Sequence, residues 1–349
     1  MPQRRCFVLG LLSLFALPVL AVGEESPAIG KPTIVVGKGS VDFSVDGELV
    51  ARYVIDEKVA KPYFWPLYAL PGKAVTRSWP MEPGKGEATD HVHQKSAWFC
   101  HGDVIPEGID YKKHIRGVTG IDFWSEAKGH GKIVCVRIET PVSDSQSAHL
   151  QTSNEWRTAE GQKILDETRS ISLQPLGKNR VLLILDIALT ASVCPITFGD
   201  TKEGSLGVRV RESLRVDRGK GQLVNAEGKS GEGLAGNKLK TGCWGLVSAW
   251  CDYSGPVDDM GTVAGISIFA DPANKLDTAW HARNYGLMAA NPFGRQGAGF
   301  PDRRGNKDLV KLNKGETLKL RYALFLHAGD AKSGQVAEAF AAFSKTARP

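Results

Sequence analysis

The sequence predicts a mainly β fold, a large single-domain antiparallel β-sandwich with one helix at its C-terminus. Three observations predict it. Runs of alternating apolar and polar residues recur from about residue 41 to about residue 327, each of strand length and bounded by Gly, Asn, Asp or Pro. Asp46-Gly47 joins two of these runs, and glycine accepts the positive φ of a tight hairpin turn. One stretch alone has convincing helical spacing: Val336, Phe340 and Phe343 recur three to four apart near the end, behind Asp330 as a candidate cap. No repeat of propeller or solenoid period interrupts the pattern, and no linker divides it.

Taken in order, residues 1–21 read as a secretory signal peptide. Arg4-Arg5 supplies a positive start, Phe7 to Leu20 an apolar run, and Val19-Leu20-Ala21 a small-x-small cleavage site. The run is too short to span a bilayer comfortably. The expectation is an exported protein, periplasmic or extracellular, whose mature chain (residues 22–349) has no membrane span. Losing Arg4 and Arg5 lowers the formal charge from +6 to +4, dispersed without a Lys/Arg block, which does not argue for a nucleic-acid partner. Five cysteines remain: Cys100, Cys135, Cys194, Cys243 and Cys251. None has zinc-knuckle spacing. Cys243 and Cys251 could bridge in an oxidising compartment, or remain buried thiols in strands.

Beyond the hairpin of 41–45 and 49–55, the aromatic run 63–70 is interrupted by Pro66 and is expected at a sheet edge. Runs 133–140, 148–156, 163–173 and 180–190 follow one another with turns at Gly161 and Gly177, an antiparallel meander. Later strands are expected at 207–216, 244–251, 262–270, 280–290 and 317–327. Polar, Gly-rich loops fill 218–240 and 294–306.

Three blocks carry candidate chemistry. The first, Thr89-Asp-His-Val-His-Gln, continues through Trp98 to His101 and Asp103. If it is extended, the two-residue period points His91 and His93 to one face, where two imidazoles could share a metal or bracket a substrate. The second, Asp200-Thr-Lys-Glu-Gly, places Lys202 and Glu203 before an apolar strand that carries Arg209. An acid beside a lysine on a strand-entry loop is either a tuned acid or base, or a solvated salt bridge. In the third, Trp280-His-Ala-Arg-Asn, alternation puts His281 and Arg283 on one face with Asn284 next along, a pairing suited to an anionic or hydroxyl-rich ligand. A P-loop, a dinucleotide fingerprint, a G-x-S-x-G elbow and an H-E-x-x-H helix are all absent.

These blocks, with Pro71-Gly-Lys-Ala-Val-Thr-Arg77, Asp122-Phe-Trp, Trp250-Cys-Asp-Tyr-Ser-Gly255 and Asn291-Pro-Phe-Gly294, resemble a family of secreted bacterial proteins. That family is common in planctomycetes and related groups and is labelled "methane oxygenase PmoA" or given an uncharacterised-domain name. Its usual word at the first block is Asp-His-Pro-His-His-Arg. Here Asp90-His-Val-His-Gln-Lys lacks the third histidine and carries Lys95 in place of arginine. The label implies a copper oxygenase. The strand-rich layout looks more like the galactose-mutarotase sandwich, whose members usually act on or bind carbohydrate.

Two functional classes follow. The first is a carbohydrate-active enzyme, an epimerase, lyase or hydrolase. Glu203 would be its base and His281 or His93 its acid, with Arg77, His91, Trp98, His101, Lys202, Arg209, Arg283 and Asn284 around the substrate. A variant adds a divalent metal on His91 and His93 with Glu203 or His281. The second class is a non-catalytic glycan-binding sandwich in which Trp98, Trp124 or Trp280 stacks on a sugar. The N-terminal reading has a direct check. The mature protein should begin near Val22 and fractionate as soluble, and N-terminal sequencing that recovers Met1 on exported protein overturns it.

Overall fold

In an antiparallel strand successive side chains face opposite ways, so alternating runs bury one face and leave the other for loops or solvent. A computed structural model describes Met1 and residues 30–84, 86–112, 117–233 and 241–348. The signal segment and its cleavage site lie outside these described residues.

Two antiparallel sheets of nine strands each dominate. The first runs Pro32–Val36, Ser40–Val45, Glu48–Val54, Tyr63–Leu70, Ala97–His101, Gly204–Arg209, Leu287–Asn291 and Ala279–Arg283, with Lys73–Ala74 beside Tyr63–Leu70. The second runs Gln222–Asn225, Trp250–Pro256, Val263–Ala270, Thr317–Ala328, Arg180–Thr190, Lys163–Pro175, Ala148–Arg157 and Lys132–Ile138, with Val142–Ser143 beside Ala148–Arg157. Val310–Leu312, Ile196–Phe198 and Val104–Pro106 make a small third sheet. The predicted meander is the last four strands of the second sheet, in sequence order. The Asp46-Gly47 hairpin forms as expected, with both residues at positive φ (52° and 81°). Among the described residues no helix is long and apolar enough to cross a membrane.

Several element expectations need correction. Tyr63–Leu70 is an interior strand, between Glu48–Val54 and Ala97–His101. Pro66 is tolerated there because it falls in the irregularity between the pairs Ala51–Leu67 and Tyr53–Phe64, where no ladder bond is asked of it. The run 280–290 is two strands, Ala279–Arg283 and Leu287–Asn291, folded back at a turn that Gly286 closes at φ 97°. The run 244–251 becomes a strand only from Trp250, because Gly245 takes a left-handed conformation (φ 63°) and donates to the Trp280 carbonyl. The run 207–216 begins earlier, at Gly204, and gives way to a 3-10 turn, Glu212–Leu214. The helix spans Val336–Phe343, but Asp330 does not cap it. Its carboxylate instead accepts the N–H and hydroxyl of Ser333 in the preceding turn. Cys243 and Cys251 are buried free thiols.

Between the two large sheets one apolar core runs continuously, with Phe99 edge-on to Trp156 at 6.3 Å. A charged pair sits within it. Arg169 Nε donates to Glu167 at 2.6 Å and Nη1 to the Tyr53 hydroxyl at 2.9 Å, and Trp156 Nε1 donates to Glu167 at 2.7 Å. Tyr53 belongs to the first sheet and the other three to the second, so the pair ties the layers together. Removing one member of such a pair leaves a bare charge in the core, which costs about 3–5 kcal/mol, whereas replacing both with apolar side chains is far milder. Arg169→Ala should therefore lower stability in denaturant melts by about that amount, and Arg169→Met with Glu167→Leu should recover most of it. Equal losses in the single and double variants would show that the pair is not coupled.

Candidate functional site

Alternation sorts the strands at one end of the first sheet. Phe99, Leu206, Trp280 and Ala282 face the second sheet, whereas Gly207, Arg209, His281 and Arg283 face away from it. Two rows cross the strands on that outer face, Trp98–Gly207–Ala289–His281 and Arg209–Leu287–Arg283. Gly207 is required there. A Cβ at this position would lie 2.7 Å from Trp98 and 3.1 Å from Trp124. The two indoles occupy that hollow edge to face at 5.0 Å, and Trp124 continues beneath the His281 ring (6.3 Å, 24°). Asp122 sets Trp124 in place by accepting the N–H groups of Trp124 (2.7 Å) and Ser125 (3.0 Å).

Over this floor lies the loop of residues 89–95. It is not the extended segment that the sequence suggests. His91 to Gln94 forms a turn, with Gln94 N–H donating to the His91 carbonyl at 2.9 Å and His91 at φ 44°. The cause is a pair of fully buried arginines. Arg77 donates to the Gln94, Asp90 and His91 carbonyls and to Asp90 Oδ1. Arg209 donates to Gln94 Oε1 at 2.5 Å and to both Asp90 oxygens at 3.1 and 3.3 Å. Although partial burial pushes the Asp90 carboxyl up, Arg209 and the His91 contact outweigh it and hold the group at about 2. His91 Nδ1 lies 2.8 Å from Asp90 Oδ2, and its ring lies flat on Tyr285 (5.4 Å, 9°) and edge-on to His93 at 5.7 Å. His93, largely shielded from water and near Lys61, is pushed down to about 3.

Contacts then run without a break to the other two blocks. Arg283 lies 5.3 Å from both the Tyr285 and Trp244 rings, and Trp244 meets His281 edge-on at 5.1 Å. His281 Nδ1 lies 3.8 Å from Glu203 Oε2. Burial pushes the Glu203 carboxyl up to about 7 against the pull of Lys202, and the same burial, with Arg283 and Lys202 nearby, pushes His281 down to about 3. Desolvation disfavours whichever form is charged, so it moves an acid and a base in opposite directions. The pair is therefore a protonatable carboxyl beside a neutral imidazole.

The three blocks converge, with His91, His93, Lys202, Glu203 and Arg283 along one face and His281 buried against Glu203. Several candidates sit deeper. Trp98 and His101 are fully buried, and His101 is held by its Nε2 contact with the Gly199 carbonyl (2.9 Å). Burial also closes Trp124 and Trp280 off as sugar platforms. Arg77 and Arg209 are spent on the loop, and the Asn284 side chain on the Glu232 N–H (2.8 Å). Trp244, Tyr285 and Glu232 belong to the site and were not singled out from sequence, and Asp122 entered there only within the family word Asp122-Phe-Trp. Tyr285 follows the His-Ala-Arg-Asn word directly, whereas Trp244 lay in a run that read as an ordinary strand. For a metal the fit is poor, since among the described residues no three His, Cys, Asp or Glu side chains are grouped to hold one.

A model of a family of unknown function, DUF6807, matches residues 40–341. No curated protein matches. Among solved structures, an α-galactosidase of Geobacillus stearothermophilus in complex with 1-deoxygalactonojirimycin aligns over 86% of this chain and 41% of its own, with 8% identity and a TM-score of 0.41. An α-galactosidase of Lactobacillus brevis aligns over 88% and 40%, with 9% identity and a TM-score of 0.41. A GalM/aldose epimerase homologue from C. elegans aligns over 85% and 100%, with 12% identity and a TM-score of 0.32. The chain thus spans about two fifths of the α-galactosidases it matches, and likenesses this distant say nothing of activity.

The raised Glu203 carboxyl has a consequence for stability. The folded chain keeps a proton there that the unfolded chain releases, so its contribution is complete below about pH 4.5 and is lost as pH rises to about 7. His281 and His93 act in the opposite sense below about pH 6.5, so the isolating measurement is a difference. The melting temperature of the wild type minus that of Glu203→Gln should fall between about pH 4.5 and 7. A difference that stays flat across this window would place Glu203 in water.

Proposed function

This chain belongs to the family of unknown function DUF6807, and from that premise we propose that it acts on a sugar or glycoside by proton transfer at Glu203. The observation that carries the reading is the Glu203–His281 pair, a carboxyl poised at about 7 and 3.8 Å from an imidazole. Near neutral pH such a carboxyl is partly protonated and partly ionised, so it can both accept and deliver a proton, the requirement of a general acid–base group. Epimerisation, elimination and glycoside hydrolysis each need it.

Burial gives the histidines another role. With pKa values of about 3, His281 and His93 stay neutral at working pH rather than acting as imidazolium acids: His93 serves as a hydrogen-bonding imidazole toward ligand oxygens, and the buried His281 faces Glu203. His91 presents Nε2, because ionised Asp90 claims the proton on Nδ1. Arg77 and Arg209 position that loop. The N-terminal Arg4-Arg5, apolar run and Ala21 support an exported protein and, with it, a ligand met outside the cytoplasm.

Glu203→Gln keeps the shape and removes the titrating proton. It should lower turnover of the responsive sugar by about two to four orders of magnitude while leaving its affinity within about tenfold. The wild-type kcat/KM should change ionisation state near pH 7. A chain that only binds glycans shows no turnover in either form, and a fully active Glu203→Gln enzyme moves the chemistry elsewhere.

A further inference from the structure

Among the described residues six cations, Arg77, Arg209, Lys61, Lys95, Lys202 and Arg283, lie about the three blocks, and four are committed to the protein. Arg77 and Arg209 share Asp90, and Lys61 and Lys95 share Glu126 at 3.4 and 2.5 Å. The other two differ. Lys202 acts electrostatically on both Glu203 and His281, yet among the described residues no carboxylate lies within ion-pair distance of its ammonium. Arg283 is fixed between the Trp244 and Tyr285 rings and anchored through Nε to Glu232 Oε1 at 2.7 Å. The Glu232 contact is an ion pair, none of the three guanidinium nitrogens donates a hydrogen bond to a described residue, and the side chain is 27% exposed.

We propose that the site selects a sugar bearing a carboxylate, a uronic acid or uronoside, with the carboxylate held by Lys202 and the free fork of Arg283. This deepens the acid–base reading above and rests on it. A guanidinium already held in position gives up little rotamer freedom when it binds a planar oxyanion, and its paired N–H groups match carboxylate geometry. Lys202, next to Glu203 in the chain and acting electrostatically on Glu203 and His281, supplies a point charge nearby. Glu203 cannot satisfy it fully, because its own carboxyl is partly neutral near pH 7. A singly charged carboxylate is favoured over a phosphate ester because Arg283 already carries the Glu232 carboxylate and Lys202 neighbours Glu203, and the repulsion from these acids grows with the charge of the ligand.

The test is calorimetric titration of the full-length exported protein with D-glucuronate, D-galacturonate, D-glucose, D-galactose and glucose 6-phosphate. At low salt at least one uronate should bind about tenfold or more tightly than its neutral counterpart, and the preference should shrink at high salt. Lys202→Met, on a partly exposed side chain, should reduce the preference to about threefold or less without lowering the melting temperature. Arg283→Gln should reduce it further, and its melting temperature reports whether loss of the Glu232 pair has disturbed the fold. Equal binding of uronates and neutral sugars, tighter binding of the phosphate, or a preference untouched by Lys202→Met each overturns the inference while the acid–base role of Glu203 stands on its own variant. No binding by any of the five, with Glu203→Gln indistinguishable from wild type, overturns both.

Discussion

The candidate site depends on one carboxylate, that of Asp90, shared between two arginines that see no solvent. Two buried guanidinium groups side by side repel one another, and burial and Arg209 together pull Arg77 down to about 10. Asp90 and the loop carbonyls around it make the arrangement tolerable. The same contacts dictate where the histidines go. With the Asp90, His91 and Gln94 carbonyls turned toward Arg77, the chain must turn at His91, and the imidazole comes down on Tyr285. The geometry of the His-x-His word is thus imposed from outside it, by residues 13 and more positions away in sequence.

At the Glu203–His281 pair the competing effects can be ranked. Distance alone, 3.8 Å, suggests an ion pair. Desolvation argues against one, because the carboxyl titrates at about 7 and the ring at about 3. A proton shared by the pair therefore sits on the carboxyl rather than on the ring. Burial against Trp124 and Trp244 keeps the imidazole neutral, and near neutral pH the carboxyl beside it is partly protonated and partly ionised.

What the sequence disclosed depended on whether the cause was local. Alternation placed His281 and Arg283 on one face because a strand's period is intrinsic to its backbone, and the meander and the Asp46-Gly47 hairpin were readable for the same reason. The extended reading of the first block failed because Arg77 and Arg209 are distant in sequence and their hydrogen bonds override local preference. Pro66 was misplaced at an edge because an irregularity in the neighbouring strand, invisible in its own run, makes room for it. Trp98, Trp124 and Trp280 read equally well as sugar platforms or as core. Only the hollow over Gly207 decides for Trp98 and Trp124, and the hydrogen bond from Trp280 Nε1 to the Ser248 carbonyl decides for Trp280.

Glu203 is the last residue before the strand Gly204–Arg209, whereas His281 stands in the middle of one. The histidine is locked by ladder bonds on its neighbours and by two indoles, but the glutamate is anchored chiefly through its main chain, whose carbonyl accepts the Gly102 N–H. The two halves of the pair therefore differ in evolvability. Exchange at position 203 would leave the sheet and the aromatic floor intact, so under the proposed acid–base reading a single side chain separates a catalyst from a pure binder on one scaffold.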